Sequence, residues 1–389
     1  MRFRRFLCLL SGVCLILPTL FGCAGIGTES PVTTEPETVS PETPTEAETQ
    51  PPAPVLTTYS VSENLQYIKQ VGRCTVVDGS IAADWTASGI EFEFQGSGVL
   101  KFRAKSYGSG YSIALIATVD GKDYPVTVTA GSRVYQVASN LQEGKHHVLI
   151  RRKTMVEKDL SGTMLQFNEI QMCGTFLQKP ADNTYQVAFL GDSITCGVGI
   201  SSSEIEGLDT YAIDLCTREG FDYDICSVSG IGVYMSTGRH GGTANTMTKY
   251  YPYYNYYRSD SLRYTPNRQA DLVVVNLNTN DQYQTGGASA HESNYKATLK
   301  TLISEIRAAH GNDVKIVWIV GMMVSETGTV NQWLKEVFDE LGGESAGLYR
   351  LAVDKDNGGA EGHPNKASHI RVSRALSAFI REKNLLVLS

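Results

Sequence analysis

Short apolar runs alternate with helix-like segments along the second half of the chain. Five apolar runs predict strands, at residues 186–190, 222–228, 271–277, 314–320 and 347–353. Apolar residues at helical spacing predict helices at residues 209–219, 292–310, 329–341 and 366–384. Strands that alternate with helices are typical of a parallel sheet covered by helices on both faces. We therefore expect residues 176–389 to form an α/β/α domain with a flavodoxin-like parallel sheet.

Four polar motifs lie just after the ends of predicted strands. They are Gly191-Asp192-Ser193, Ser227-Val228-Ser229-Gly230, Asn278-Thr279-Asn280-Asp281 and Glu361-Gly362-His363-Pro364. Ligands of open α/β sheets bind at the carboxyl ends of the strands, so we expect the four motifs to meet at one edge. Gly-Asp-Ser alone is also compatible with an ordinary helix cap, so the prediction of a site depends on all four motifs together.

Ser193 occupies a position that suits a nucleophile. A serine in the first turn of a helix lies beside free backbone N–H groups, which can stabilise a developing oxyanion. Its hydroxyl also needs a base that takes its proton. We predict His363 as that base because it follows the last strand, and His369, at the start of the last helix, is its competitor.

In this order the four motifs resemble the blocks of the SGNH (GDSL-like) hydrolases, over roughly residues 185–389. The resemblance implies that Ser193 is the nucleophile and that His363 is the general base. It also implies that the Ser193 and Gly230 N–H groups and the Asn280 side chain surround the oxyanion.

Two positions depart from the SGNH pattern. Asn278 occupies a position where these hydrolases usually have glycine, so the backbone there must tolerate a side chain. Ala360 occupies the position, three residues before the histidine, that often carries Asp. Glu361 is the nearest carboxylate in the sequence. It either orients the imidazole as the third member of a triad or is an exposed loop acid.

Residues 59–175 show alternating polar and apolar residues in segments such as 90–94 and 148–152, with glycine-rich turns between them. This pattern predicts an antiparallel β-sandwich of the jelly-roll type. Such a domain either binds glycan itself or packs beside the second domain and shapes its cleft. The short join after Gly174 favours the packing role.

A β-sandwich followed by an SGNH domain resembles the family 2 carbohydrate esterases. Segment 141–148 and the motif at 361–364 are similar to patterns of that family, with Glu361 in place of Asp. The resemblance implies removal of acetyl groups from polysaccharides or oligosaccharides of the xylan or glucomannan type. It also implies that a Ser-His dyad, with the histidine oriented by a backbone carbonyl, can function without the missing acid.

Tyrosines are concentrated in residues 249–258, which hold six of them. This segment follows the second strand of the sheet, on the edge where the motifs are expected to meet. Aromatic rings with a polar tip suit sugar rings. We predict substrate contacts at four residues: Tyr254, Tyr257, His240 and Trp333. The alternative is that these side chains pack within the protein.

The first residues of the chain predict export. Arginines precede an apolar run that ends at Leu20, so residues 1–22 are typical of a signal peptide. Small residues around Cys23 are typical of a lipobox, so we expect a lipid anchor on Cys23 and a location at the cell surface. Residues 23–58 are rich in Pro, Thr and Glu and contain no Lys or Arg, which predicts an extended linker.

Charge and cysteine spacing limit the partners and cofactors. The formal net charge is −7 and there is no basic stripe, which argues against nucleic acid and favours a neutral substrate such as a sugar polymer. No Cys/His cluster has zinc-like spacing, so we predict neither a metal nor another cofactor. Cys74 and Cys173 flank the sandwich and could form a disulfide if their strands are neighbours.

Two other functions stay open at this point. One is an SGNH lipase or thioesterase with a longer acyl pocket. The other is a glycan-binding surface protein with an inactive hydrolase domain, although the complete set of four motifs weighs against it.

Overall fold

A computed structural model of the chain describes residues 55–107, 112–155, 164–202, 205–256, 258 and 260–388. These residues form one compact unit. The predicted signal peptide, the Cys23 anchor and nearly all of the predicted linker lie outside the described residues. No helix in the described ranges has the length and apolarity needed to cross a membrane.

Among the described residues, an antiparallel sheet of nine strands forms the first domain. Its strands are β1 Thr57–Ser60, β2 Ile68–Val71, β3 Cys74–Val77, β4 Ser80–Ala83, β5 Gly89–Ser106, β6 Ile113–Val119, β7 Lys122–Val128, β8 Gly131–Arg152 and β9 Leu165–Phe176. The main order is β3-β4-β9-β5-β8-β6-β7, with β1 paired to β9 and β2 to β5. Alternate residues of the strands point into one apolar core, which the sheet encloses, as predicted for a sandwich.

Glycines allow the long strands β5 and β9 to cross closely. Gly96 pairs with Gly174, and a Cβ atom on Gly96 would lie 2.2 Å from the Cys173 carbonyl oxygen. The register between β5 and β9 shifts next to this point, so the strands bend there. Cys74 and Cys173 are both buried free thiols, so the possible disulfide between them is not formed.

A parallel sheet of five strands forms the second domain. The strands are β10 Gln186–Gly191, β11 Asp222–Ser227, β12 Leu272–Asn276, β13 Lys315–Met322 and β14 Leu348–Lys355, in the order β11-β10-β12-β13-β14. The helices are α1 Ser193–Cys196, α2 Tyr211–Glu219, α3 Met247–Tyr250, α4 Thr279–Thr285, α5 Glu292–His310, α6 Thr329–Glu340 and α7 Lys366–Glu382. The predicted α/β/α class is confirmed.

Both faces of the parallel sheet are buried because strand residues alternate between two cores. On β12, Val273 and Val275 face the core that includes α5 and α6. Leu272 and Val274 face the opposite core, which includes α2 and α7. This burial on both sides explains why the strands appear in the sequence as continuous apolar runs.

The two domains are joined by buried polar contacts. Arg73, in the turn between β2 and β3, is buried against the second domain, with its guanidinium 3.5 Å from the Tyr264 ring centroid and an Asp224 carboxylate oxygen 3.5 Å from Nη1. The Trp85 indole N–H donates to the Tyr254 carbonyl at 2.8 Å. The sandwich is therefore packed against the second domain along the tyrosine-rich segment.

Candidate active site

Ser193 is the first residue of α1, and only Asp192 separates it from the end of β10 at Gly191. Asp192 caps this helix, because its side chain accepts a hydrogen bond from the Ile194 N–H at 3.0 Å. Gly191 is required by packing, since a Cβ atom there would lie 1.9 Å from Thr195 Oγ1. The strand-turn-helix of the first motif thus holds Ser193 in a position where only 5% of its surface is exposed.

His363 lies next to Ser193. Its Nε2 atom is 2.9 Å from Ser193 Oγ, and its Nδ1 atom is 3.1 Å from the backbone carbonyl oxygen of Glu361. The Glu361 carboxylate makes no hydrogen bond to the imidazole in the described part of the chain, and this side chain is exposed. The arrangement is a Ser-His pair with a carbonyl behind the histidine, rather than a triad with the predicted Glu361 carboxylate.

His369, the competing base, is structural. It is buried and stacked on Tyr211, whose backbone N–H donates to His369 Nδ1 at 3.1 Å. Burial lowers its pKa to about 4, which keeps the imidazole neutral. Its position in the core, away from the Ser193 hydroxyl, leaves His363 as the base that the geometry supports.

Gly230 and Asn280 follow strands on either side of β10. The Val228 N–H donates to the Gly191 carbonyl at 3.1 Å, which ties the second motif to the first. The Asn280 side-chain nitrogen donates to the Ile231 carbonyl at 2.7 Å and, at a longer 3.3 Å, to the Asp192 carboxylate. Three of the four predicted motifs therefore meet through direct hydrogen bonds, and His363 brings in the fourth.

The structure shows why asparagine is tolerated at position 278 in place of the usual glycine. Its φ of 90° is in the left-handed region, which glycine adopts freely and which Asn tolerates better than most residues. Its side chain accepts from the Tyr295 hydroxyl at 2.6 Å and donates to Asn331 at 3.0 Å. The side chain is thus part of the buried support beneath the loop.

Two buried carboxyl groups stabilise the loops around the site. The Asp281 carboxylate accepts hydrogen bonds at 2.8 Å from the N–H groups of residues 233–235, which hold the loop after Gly230. Burial raises the pKa of Asp281 to about 6. Burial also raises the pKa of Asp192 to about 7, with the nearby Asp281 charge adding to the effect.

Three of the four predicted substrate contacts are buried. His240 is 4% exposed, with hydroxyls of Tyr250 and Tyr256 each 3.3 Å from its ring nitrogens. The Tyr254 hydroxyl donates to the Thr265 carbonyl, and Trp333 packs against Tyr295 in the core. These side chains are used in packing, so they offer no open platform. Tyr257 lies outside the described residues.

Tyr283 is an exposed ring that sequence reasoning missed. It lies on α4 and is 80% exposed. Residues three apart on a helix share a face, so Tyr283 lies on the same face of α4 as Asn280. The spacing from Asn280 is the signal that could have revealed it.

The described residues contain no group of three or more His, Cys, Asp or Glu side chains arranged to hold a metal ion.

Comparison with known proteins identifies both domains. The GDSL-like lipase/acylhydrolase family model matches residues 189–370, and the carbohydrate esterase 2 N-terminal model matches residues 70–180. The cellulase/esterase CelE of Acetivibrio thermocellus is 28% identical over 320 residues, which are 77% of this chain and 37% of that protein. The chain thus spans only a little over a third of the length of that relative.

Other similar proteins cover more of their own length. The acetylxylan esterase / glucomannan deacetylase of Cellvibrio japonicus is 23% identical over 67% of this chain and 75% of its own. A family two carbohydrate esterase from Clostridium thermocellum, solved with cellohexaose, has a TM-score of 0.70 and 26% identity over 82% of this chain and 100% of its own. The chain thus carries a GDSL-like lipase/acylhydrolase domain and a carbohydrate esterase 2 N-terminal domain, and in this order it is similar to the family 2 carbohydrate esterases, which are carboxylic ester hydrolases.

Proposed function

We propose that the chain is a serine esterase that removes O-acetyl groups from polysaccharides or oligosaccharides of the xylan or glucomannan type. The observation that carries the proposal is the 2.9 Å distance between His363 Nε2 and Ser193 Oγ. The name of the Cellvibrio relative and the cellohexaose bound to the Clostridium esterase support a carbohydrate substrate.

In the first step, Ser193 attacks the acetyl carbonyl carbon while His363 Nε2 takes the hydroxyl proton. This requires the neutral imidazole to carry its proton on Nδ1, and the Glu361 carbonyl, 3.1 Å from Nδ1, is an acceptor for that proton. The carbonyl therefore selects the tautomer in which Nε2 is a base. Its dipole also stabilises the imidazolium that forms.

The tetrahedral oxyanion is held by the Ser193 N–H, the Gly230 N–H and the Asn280 side chain. Of the two Asn280 N–H groups, the one that faces Asp192 makes a long bond of 3.3 Å, so it is the donor available to the oxyanion. One such donor contributes about 3–4 kcal/mol to the stability of the transition state.

The oxyanion then collapses and expels the sugar oxygen, which receives the proton from His363. This leaves an acetyl group on Ser193 and a free sugar hydroxyl. A water molecule attacks the acetyl-serine, with His363 again as the base, and acetate leaves. No metal is needed, because the imidazole activates both nucleophiles.

The decisive test is acetate release from acetylated xylan, glucomannan and pectin. We expect release from at least one polymer, and we expect Ser193→Ala and His363→Ala each to abolish it. His147→Ala is the matched control, because His147 pairs with Glu91 in the sandwich and has no contact with the site. Thermal unfolding of all three variants checks that each is folded.

The alternatives give different outcomes in the same assay. A lipase or thioesterase would hydrolyse octanoyl aryl esters at least as fast as acetyl esters, whereas the proposed enzyme loses activity steeply with acyl length. Absence of acetate release from every acetylated glycan, combined with glycan binding, would favour a binding protein.

We also propose that the protein is exported and anchored to the cell surface by a lipid on Cys23. The arginine-led apolar run and the small residues near Cys23 support this proposal. The test is cell fractionation with radiolabelled palmitate, where Cys23→Ala is expected to release the protein and remove the label. Unlabelled protein in the cytosolic fraction would contradict the proposal.

A further inference from the structure

We propose that Thr237 is a positioning residue that holds Gly230 and Asn280 in one arrangement around the oxyanion. This inference rests on the proposed function, because it assigns a task within that site. The sequence motifs do not include Thr237, which lies seven residues after Gly230 in the loop that follows β11.

Thr237 contacts both groups directly. Its backbone N–H donates to the Gly230 carbonyl at 2.7 Å. Its hydroxyl donates to the Asn280 side-chain oxygen at 2.8 Å, and the Gly230 carbonyl lies farther from that hydroxyl, at 3.3 Å. A threonine hydroxyl has one proton, so the shorter bond to Asn280 takes it and the backbone N–H serves Gly230.

The sheet order makes this contact important. Gly230 follows β11 and Asn280 follows β12, and these strands lie on opposite sides of β10, which carries Ser193. Hydrogen bonds within the sheet therefore do not connect the two loops to each other in front of Ser193. Thr237 bridges them across that gap, in addition to the Asn280–Ile231 bond and the bonds from residues 233–235 to Asp281, and it is the contact that reaches both Gly230 and the Asn280 side-chain oxygen.

The hydroxyl of Thr237 also satisfies the Asn280 amide. Asn280 is 7% exposed, so water is a poor substitute donor to its side-chain oxygen. With the oxygen bound to Thr237, the amide nitrogen faces the Ile231 carbonyl and Asp192. The nitrogen is thus kept on the side that can donate to an oxyanion.

Thr237 is itself held in place by its neighbours. Ser236 and Gly242 form a pair of backbone hydrogen bonds at 3.0 Å, which closes the loop that contains it. His240, within this loop, is buried between Tyr250 and Tyr256. Because these contacts hold Thr237 in place, it can in turn hold Gly230 and Asn280.

The first test compares Thr237→Val with Thr237→Ser on a short aryl acetate. Valine keeps the shape and removes the hydroxyl, so we expect kcat to fall about tenfold with KM changed less than about twofold. Serine keeps the hydroxyl and is expected to restore kcat to within about threefold of wild type. A fully active Thr237→Val would overturn the proposal.

The second test asks whether Thr237 acts through Asn280. In an Asn280→Ala background, Thr237→Val is expected to lower kcat by less than about twofold, because the group it positions is absent. An equal loss in both backgrounds would overturn the proposal, since Thr237 would then be acting on something else. If Thr237→Val fails to fold in thermal unfolding, Thr237→Ala replaces it in the same cycle, with the same expectations.

The outcome separates the two proposals. A wild-type protein without Ser193-dependent acetate release contradicts the proposed function, and this inference with it. An active wild type with additive losses contradicts the role of Thr237 alone.

Discussion

The carbonyl oxygen of Glu361 lies 3.1 Å from His363 Nδ1, and Glu361 adopts the left-handed backbone conformation, with a φ of 54°. The contact is made by the backbone, while the carboxylate is exposed. The residue type at position 361 is therefore less important than its conformation. A search of the sequence for an acidic side chain near the histidine would therefore miss this contact, which is made by a backbone carbonyl oxygen.

We expect Glu361→Gln and Glu361→Gly to keep kcat within about threefold of wild type, while His363→Ala lowers it by about a thousandfold or more. The reason is that both variants keep the carbonyl that accepts from Nδ1. Steady-state kinetics on an aryl acetate checks this. Losses of equal size for Glu361→Gln and His363→Ala would show that the carboxylate is a working member of a triad.

Substitutions at position 278 test whether the hydrogen bonds of Asn278 outweigh the strain of its left-handed backbone. Asn278→Gly relieves the left-handed φ of 90° but leaves the buried Tyr295 hydroxyl and Asn331 without their partner. Two lost buried bonds cost more than the relieved strain, so we expect a loss of about 1–3 kcal/mol of unfolding free energy. Asn278→Ala should lose more, because alanine adds strain to the same losses. Urea unfolding gives both values, and a more stable Asn278→Gly would contradict the argument.

The strands could be predicted because a strand buried on both faces appears in the sequence as a continuous apolar run, whichever strands lie beside it. The run at 271–277 contains β12, Leu272–Asn276, and the other four runs agree with their strands about as well. The motifs were also recognisable, since each follows a predicted strand and the carboxyl ends of parallel strands share one edge of the sheet. Asn at position 278 is itself a residue type that favours a left-handed backbone.

Substrate contacts could not be predicted from composition. A tyrosine-rich segment is compatible with an open platform and equally with packing between domains. Here Tyr254 and its neighbours surround Arg73 and Trp85 of the sandwich, which lie far away in sequence. The role of the Glu361 carbonyl was hidden for a related reason, because a left-handed backbone at a glutamate has no sequence signal.

Tyr283 is the exposed ring that we expect to contact the polymer. Stacking of a sugar ring on an aromatic face contributes about 1 kcal/mol, so Tyr283→Ala should raise KM for an acetylated polysaccharide about fivefold. KM for an aryl acetate should not change, because that substrate has no second sugar. Tyr107→Ala is the control, since Tyr107 is an exposed ring in the sandwich, 46% accessible to solvent. Equal shifts on both substrates would contradict a polymer contact.

The buried Asp192 predicts a pH dependence of stability. Its pKa is raised to about 7 from 3.8, so between these values the folded protein binds a proton that the unfolded chain has lost. Its contribution is therefore fully present below about pH 4, declines as the pH rises through 7, and is lost above that. The neutral Asp192→Asn side chain does not titrate.

We thus expect the unfolding free energy of Asp192→Asn, relative to wild type, to rise between pH 4 and pH 8, by on the order of 4 kcal/mol. Urea unfolding of both proteins at several pH values measures this difference. A difference that stays constant or falls with pH would show that the carboxyl group is not held protonated by burial. The comparison cancels groups that titrate equally in both proteins.

From the contacts of Arg73 we predict that the sandwich is needed for the stability of the second domain. Its guanidinium contacts the Tyr251 and Tyr264 rings and donates to the Tyr253 carbonyl at 3.2 Å, and it is paired with the buried Asp224. Arg73→Leu replaces the guanidinium with an apolar side chain and leaves the Asp224 carboxylate without a cation. Removing one partner of a buried pair costs about 3–5 kcal/mol.

We expect this loss in urea unfolding of Arg73→Leu, and a partial recovery in the double variant Arg73→Leu/Asp224→Asn. The recovery follows because the second change removes the buried charge, while Asn can still accept from the Tyr264 hydroxyl, which is 2.9 Å from Asp224. Arg103→Leu is the control, since Arg103 pairs with Glu169 on the sandwich surface, where an ion pair contributes at most about 1 kcal/mol. If Arg73→Leu is no less stable than that control, the domains are held together by their apolar contacts and the arginine is not required.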